Sequence, residues 1–193
     1  PTSVEYCISD LNGKVDMIID GGECDIGLES TIVMIKDNGV VLLRPGAVTY
    51  DALCCVCENV ELSAAAEGIS TSDERPIAPG MMYRHYAPSS PFVLLDGDEA
   101  SFIPYVRARR AGGEKCAVIC SADEAQMLGN TDTVLYGNPH DLNMQAHRLF
   151  SALREADALG CQVIYARKPP TDGLGLALYN RMIRAASHTI IKI

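Results

Sequence analysis

The chain has 193 residues, 48% of them hydrophobic, and a formal net charge of -9 at pH 7, which is enough apolar content for one large or two small domains. The acidity lies in residues 1–62, where three Lys/Arg stand against eleven Asp/Glu. Neutralising phosphates needs a basic face, so this balance argues against a broad nucleic-acid-binding surface. The chain has neither a long apolar run nor a charged-then-apolar leader. We therefore expect no membrane span and a soluble, cytoplasmic protein.

The first elements predicted are a helix and a strand. Thr2 and Glu5 have the spacing of a capping box, so a helix is expected to begin there and to end near Asn12-Gly13. Residues 15–19 are apolar at most positions and are interpreted as a buried strand.

A hairpin is predicted next. Asp37-Asn38-Gly39 separates two apolar runs, residues 30–35 and 40–43, and such a turn favours antiparallel pairing. Thr49 is then expected to cap a short helix. These elements are too few to close a core. We therefore interpret residues 1–62 as the C-terminal third of a larger α/β domain.

Eight cysteines are unusually many for a chain of this length. Most lie in apolar segments, where a reduced cysteine behaves as a small hydrophobic residue, so we expect buried free thiols. The cluster at residues 54–57 has no second Cys or His pair at ligand spacing, and no metal site is expected. The cysteines are Cys7, Cys24, Cys54, Cys55, Cys57, Cys116, Cys120 and Cys161.

Residues 79–88 form a segment bounded by Pro79 and Pro88, which we expect to be an extended interdomain strap. Residues 63–78 are predicted to be its flexible lead, suited equally to a lid or to a plain tether. The side chains of the strap suit an adenine, a phosphate or a carboxylate, although a linker whose tyrosines pack on neighbouring domains has the same composition. These side chains are Tyr83, Arg84, His85 and Tyr86.

From residue 92 onward, short apolar runs alternate with helical patterns. This alternation predicts a five-stranded, doubly wound parallel sheet of the Rossmann-like type, with right-handed crossovers. The predicted strands are residues 92–95, 116–120, 133–136, 162–166 and 189–193. The predicted helices are residues 101–110, one capped by Ser121 and Glu124, one with an apolar face of Leu142, Leu149, Phe150 and Leu153, and residues 176–186.

Two places could bind an anion. Arg44 ends a predicted strand, where its guanidinium could clamp a phosphate or carboxylate or could form a surface salt bridge. Arg167 and Lys168 follow the fourth strand of the parallel sheet, and ligands of such sheets lie beyond the carboxyl ends of the strands. Both side chains could equally be solvated. No P-loop or G-x-G-x-x-G motif is present.

Several ordered motifs together resemble the long, two-domain form of threonylcarbamoyl-AMP synthase, of the TsaC/YrdC type. The motifs are Pro1-Thr2, Asp10-Leu11-x-Gly13-Lys14-x-Asp16-x-Ile18-x-Asp20-Gly21-Gly22, Gly27-x-Glu29-Ser30-Thr31, Leu43-Arg44-Pro45-Gly46, Pro79-Gly80-Met81-x-Tyr83-Arg84-His85-Tyr86-Ala87-Pro88 and Gly173-Leu174-Gly175-x-Ala177-x-x-Asn180-Arg181. The resemblance implies three parts: a synthase-domain remnant over residues 1–62, a linker over 63–91 and a Rossmann-like domain over 92–193.

The resemblance also implies an activity. It is that of a nucleotidyltransferase joining L-threonine, bicarbonate and ATP, with Mg²⁺, into threonylcarbamoyl-adenylate for N6-threonylcarbamoyladenosine at tRNA position 37, upstream of the rest of the tRNA-modification machinery. By position in the motifs, Ser30 would bind L-threonine. The ATP-binding residues would be Thr2, Arg44, Tyr83, Arg84, His85 and Tyr86. No residue of this chain is expected to act as a nucleophile, because the reaction depends on positioning and charge stabilisation.

The chain departs from the pattern of this family at one end. The upstream Lys/Arg motif and the Ser-x-Asn segment are not present, so we expect the N-terminal catalytic half to be missing and this piece alone to be inactive. The alternative is a non-catalytic module that binds a nucleotide or a protein partner as a regulator.

Overall fold

A computed structural model describes residues 2–69 and 87–193. The first of these stretches carries two helices and a small sheet. Its elements are α1 (Val4–Leu11), β1 (Ile32–Lys36), β2 (Gly39–Arg44), α2 (Tyr50–Cys54) and β3 (Val60–Leu62). The strand order of the sheet is β1-β2-β3, with β1 antiparallel to β2 and β2 parallel to β3.

The predicted hairpin is confirmed. Lys36 pairs with Gly39, and the strands remain in register as far as Val33 opposite Leu42. Gly39 has φ +149°, and a Cβ there would collide with the backbone of Asn59, so both the turn and the close approach of β3 require glycine. Thr49 caps α2 as expected, because its hydroxyl accepts the amide of Ala52 at 3.2 Å.

Two local predictions for the first part are wrong. Residues 15–19 form no strand, and Met17 and Ile19 are 77% and 85% exposed. No other strand of the described residues lies beside this run, so its apolar composition does not produce pairing. The helix cap is Ser3 rather than Thr2, and it makes no side-chain capping bond.

The second stretch folds as an alternation of strands and helices around a five-stranded parallel sheet. Its strands are β4 (Phe92–Asp96), β5 (Cys116–Cys120), β6 (Thr133–Leu135), β7 (Val163–Arg167) and β8 (Ile190–Lys192), and its helices are α3 (Glu99–Ala111), α4 (Ala122–Met127), α5 (Leu142–Ala158) and α6 (Gly173–Ala185). The strand order is β6-β5-β7-β4-β8, with every pair parallel. The five predicted strands and four helices are confirmed, with ends that differ by up to three residues.

Helices cover both faces of the parallel sheet. On one face α5 and α6 pack against alternate strand residues such as Leu94, Ile119 and Ile164. On the other face α3 and α4 pack against the intervening residues, including Leu95 and Val118. Because successive side chains of a strand point to opposite faces, a strand buried on both sides is an unbroken apolar run.

The first part of the chain docks on the α5 and α6 face. Arg154 of α5 binds both carboxylate oxygens of Asp10, at 3.1 and 2.6 Å, and its guanidinium lies over the ring of Tyr6. Leu28 is buried in the same apolar cluster as the two helices. At Gly27 a Cβ would collide with the backbone of α5, so the segment can lie flat on this helix only because that residue is glycine.

Residues 63–69 were expected to be flexible, and this is wrong. They form a turn in which Ala65 and Ala66 are buried. The side-chain amide of Asn180 in α6 donates to the carbonyl oxygens of Ala65 and Ala66, at 2.7 and 3.0 Å. Residues 70–78 and the strap residues up to 86 lie outside the described residues.

The cysteines divide into a buried group and a more accessible group, so the expectation that they are buried is only partly correct. The thiols of Cys116, Cys120 and Cys161 are buried in the parallel-sheet domain, whereas those of the first part are half-buried or exposed. Burial, with a contribution from nearby Glu124, raises the pKa of Cys120 to about 12. Its thiol is therefore protonated and unreactive at neutral pH.

This difference predicts the pattern of thiol alkylation. With iodoacetamide at pH 8 the exposed residues Cys24, Cys54 and Cys55 should react first, and Cys116, Cys120 and Cys161 should react only after unfolding in guanidinium chloride. Peptide mass spectrometry of timed samples measures the order. Modification of Cys120 as fast as that of Cys24 in the folded chain would contradict the burial described here.

Within residues 2–69 and 87–193, no helix has both the length and the apolar content needed to cross a bilayer.

Candidate functional site

Arg44 and Ser30 form one cluster at the open end of the hairpin. The Nε of Arg44 donates to the Ser30 carbonyl oxygen at 2.9 Å, and its Nη2 donates to the Ser30 hydroxyl at 3.1 Å. Ser30 is exposed and Arg44 is half-buried. Among the described residues no carboxylate pairs with Arg44. The surface salt bridge that was the alternative role of this side chain is therefore not observed within them.

The backbone around this cluster is closely packed. Ile32 is paired with Arg44 across an irregularity in the ladder, which brings the end of β2 beside the segment that precedes β1. A Cβ at Gly46 would collide with the backbone of residues 29–31, so the turn after β2 can lie against this segment only with glycine. The Thr31 hydroxyl donates to the carbonyl oxygen of Val48 at 2.8 Å. The position of Ser30 is thus set by contacts on both sides.

Glu29, the residue before Ser30, is held by α6. Its Oε2 lies 2.9 Å from Nε of Arg181, whose side chain is only 6% exposed. The N–H is not aligned on the oxygen, so the attraction is that of an ion pair. Burial lowers the pKa of Arg184, while the nearby charge of Glu29 opposes that shift. Glu29, next to Ser30, is therefore paired with Arg181 and also interacts electrostatically with Arg184.

The sequence alone did not show this contact. Asn180 and Arg181 were recognised as part of a motif, but the motif gave them no role. In the structure Asn180 holds the turn at residues 63–69 and Arg181 holds Glu29. The available signal was that the otherwise largely apolar α6 carries Arg181 and Arg184, because buried charges are normally paired.

Thr2, another predicted site residue, lies away from this cluster. Thr2 lines a cleft between α1 and α5, together with Glu23 and His147, and its carbonyl oxygen accepts the amide of Cys24 at 3.1 Å. Neither Ser30 nor Arg44 lines that cleft. Tyr83, Arg84, His85 and Tyr86 lie outside the described residues, so their predicted role stays a prediction.

A second concave site lies at the carboxyl end of the parallel sheet. Its volume is about 350 Å³, and residues that follow β5, β6 and β7 line it. Arg167 Nε lies 2.7 Å from Oε1 of buried Glu124, although the N–H is not aligned on that oxygen, and Lys168 Nζ lies 3.2 Å from Asp96. The reading of Arg167 and Lys168 as simply solvated is therefore wrong. The capping box of Ser121 and Glu124 is confirmed.

No three side chains of His, Cys, Asp or Glu within the described ranges are grouped so that they could hold a metal ion.

The architecture defines an α/β protein in which a small mixed sheet, ending in a Ser–Arg cluster, is docked on a parallel five-stranded sheet with its own crevice. Comparison with known proteins gives the family. A family model described as "Threonylcarbamoyl-AMP synthase, C-terminal domain" matches residues 48–187, and a Sua5/YciO/YrdC model described as "Telomere recombination" matches residues 1–46. The chain belongs to the threonylcarbamoyl-AMP synthase family.

Curated relatives and solved structures agree with this assignment. The chain is 33% identical over 192 residues to threonylcarbamoyl-AMP synthase of Bacillus subtilis and 36% identical over 201 residues to that of Pyrococcus abyssi. It covers 55% and 56% of these relatives, with 100% of its own length matched. The structure of P. abyssi Sua5 in complex with L-threonine has a TM-score of 0.84 at 33% identity, again over 100% of this chain and 56% of the other. This chain thus spans about half the length of the curated relatives it matches.

Proposed function

We propose that the protein carrying this chain is an L-threonylcarbamoyl-adenylate synthase that uses L-threonine, bicarbonate and ATP and releases pyrophosphate. The observation that carries the proposal is the Ser30–Arg44 cluster, in which an exposed hydroxyl is held by a guanidinium fork. Both residues lie in the motifs that resemble the family. A relative with the same fold, P. abyssi Sua5, has been solved with L-threonine.

In this proposal Ser30 binds L-threonine and Arg44 acts on the phosphates. Bicarbonate first carboxylates the amino group of L-threonine with loss of water. An oxygen of this N-carboxylate then bonds to the α-phosphorus of ATP, and the bond between that phosphorus and pyrophosphate breaks. Negative charge grows on the α-phosphate and on the leaving group, and a positioned guanidinium stabilises it. Because Arg44 also donates to Ser30, one residue orients the amino acid and neutralises the nucleotide.

The proposal extends to the rest of the chain. ATP would bind together with Mg²⁺. The nucleotide would be contacted by Thr2 and by the strap residues Tyr83, Arg84, His85 and Tyr86. The product would pass to the machinery that modifies tRNA in the cytoplasm. Residues 1–62, 63–91 and 92–193 would be a synthase-domain part, a linker and a doubly wound domain. We further propose that the 193 residues alone are inactive, since the family's upstream Lys/Arg and Ser-x-Asn motifs are not in this sequence.

Pyrophosphate release from ATP tests the proposal directly. The assay compares the 193-residue chain with a protein extended upstream to the length of its relatives. We expect release that needs both L-threonine and bicarbonate in the extended protein, and none in the shorter chain. Activity in neither would contradict the synthase function and favour the regulatory-module alternative.

Variants of the extended protein test the cluster. Ser30→Ala should raise the KM for L-threonine about tenfold, the loss expected for one hydrogen bond of about 1.4 kcal/mol. Arg44→Met should lower kcat/KM for ATP by about 10²-fold or more, because it removes a charge donor to the transition state. Lys36→Met is the matched control, since Lys36 lies on the same hairpin and, among the described residues, pairs only with exposed Glu61. Equal kinetics for Arg44→Met and Lys36→Met would contradict the assignment of Arg44.

A further inference from the structure

The crevice of the parallel sheet lies between two neighbouring strands whose following helices pack on opposite faces of the sheet. β5 and β7 are adjacent, yet α4, which follows β5, packs on one face, and α6, which follows β7, packs on the other. In open α/β sheets such a switch point leaves a gap at the carboxyl ends of the strands, and ligands bind in it. The cavity of about 350 Å³ is lined by residues that follow both strands. It therefore occupies the binding position of the fold.

Arg167 supplies the cationic group of this crevice. Its Nε pairs with Glu124 at 2.7 Å, an anchor that fixes the side chain, and the side chain is 26% exposed. Among the described residues, no hydrogen bond ends at its two terminal nitrogens. The pKa of nearby Asp98 is lowered chiefly by the hydrogen bond from Ser101, and the charge of Arg167 contributes to that lowering. A guanidinium held on one side and open on the other presents two parallel donors, which match the oxygens of a carboxylate or a phosphate.

Tyr136 supplies a second donor. It follows β6, lines the same crevice and is only 6% exposed, yet its hydroxyl makes no hydrogen bond with any described residue. Burial, followed by the nearby charge of Glu124, raises the pKa of Tyr136, so the hydroxyl keeps its proton. Its oxygen is not fully buried, so the hydroxyl can donate to a molecule that occupies the cavity.

We propose that this crevice binds a small molecule through an oxyanion group, a carboxylate or a phosphate, held by the terminal nitrogens of Arg167 and by the hydroxyl of Tyr136. The volume is at the lower end of small-molecule sites, so it suits a metabolite rather than a macromolecule. None of the residues of the Ser30–Arg44 cluster takes part, so anion binding in the crevice does not depend on the proposed synthase activity.

The acidic residues of the crevice do not oppose this assignment. Glu124 is neutralised by Arg167, and its second oxygen accepts the amide of Ser121 at 2.8 Å. Glu99 is exposed on the first turn of α3, where solvent and salt screen its charge. Lys168 adds a positive charge at the rim and is held by Asp96.

Titration of the 193-residue chain with sodium phosphate and, separately, sodium acetate tests the site, with sodium chloride at matched ionic strength as the reference. Backbone amide shifts in ¹H–¹⁵N spectra report binding at residues 119–121, 136–138, 140, 167 and 168, which line or adjoin the crevice and are not prolines. We expect saturable shifts there with phosphate, acetate or both, and none with chloride. Comparing the two anions shows whether the natural ligand carries a phosphate or a carboxylate.

Two variants test the assigned donors. Tyr136→Phe removes only the hydroxyl, and Glu124→Gln/Arg167→Met removes the guanidinium without leaving a buried charge. Each should weaken binding at least tenfold, whereas Arg109→Met, which removes an exposed arginine of the same domain, should leave the affinity unchanged. Loss in both donor variants, with native spectra elsewhere, supports the proposal. No saturable shift with either anion, or unchanged affinity in either donor variant, overturns it.

Discussion

Replacement of Leu178 by alanine is expected to lower the free energy of unfolding by about 2–5 kcal/mol. Leu178 lies in α6, is fully buried, and belongs to the cluster between α5, α6 and the parallel sheet. Shortening the side chain removes buried methyl groups and leaves a cavity, because the surrounding close-packed core relaxes only partly. Urea unfolding followed by circular dichroism measures the loss.

Leu159→Ala is the control for this substitution. Leu159 immediately follows the last residue of α5 and, unlike Leu178, is 38% exposed. Its replacement should cost less than about 1 kcal/mol, as surface changes usually do. Equal losses for the two variants would mean that the α6 face does not form the core of this domain.

Replacement of Arg181 by methionine is expected to cost about 3 kcal/mol, because it breaks a largely buried ion pair and leaves the Glu29 carboxylate without its nearest counter-charge. The methionine keeps most of the apolar stem, so the loss reports the charge rather than packing. Urea unfolding again gives the free energy. In the extended protein the KM for L-threonine should rise as well, since Glu29 adjoins Ser30.

Two further variants make this result specific. Glu29→Gln/Arg181→Met removes both charges of the pair and should recover part of the stability, because Glu29 is no longer a carboxylate without its partner. The recovery should be incomplete, because Arg184 also loses the nearby charge of Glu29. Lys36→Met breaks the exposed pair with Glu61, whose side chains are 47% and 64% exposed, and should cost at most about 1 kcal/mol. If Arg181→Met is no worse than Lys36→Met, the Glu29–Arg181 pair does not hold the two parts together.

The parallel sheet could be predicted from sequence because both of its faces are buried. Strands such as β5 and β7 are unbroken apolar runs, and the helices between them begin at recognisable caps, of which Ser121 with Glu124 is confirmed. The hairpin was equally predictable, since its turn requires a residue with positive φ and Gly39 supplies it. In these places the local pattern and the tertiary environment favour the same structure.

Residues 15–19 show why other parts were not predictable. A short apolar run forms a strand only if another strand lies beside it, and the run itself does not contain that information. The Glu29–Arg181 contact joins residues far apart in sequence, so no local motif reveals it. The Ser30–Arg44 cluster was only half predicted: the motifs indicated both residues, but their hydrogen bonds depend on the packing at Gly46.

The docking of the first part on α5 and α6 has a consequence for synthesis on the ribosome. Asp10 meets Arg154, which is 144 residues further along the chain. At a translation rate of about 5–20 residues per second, the early segment waits roughly 7–30 s before its partner helix exists. During that interval its apolar residues, among them Leu28, have no surface to cover them. We therefore expect nascent chains to expose this segment to chaperones until α5 and α6 have left the exit tunnel.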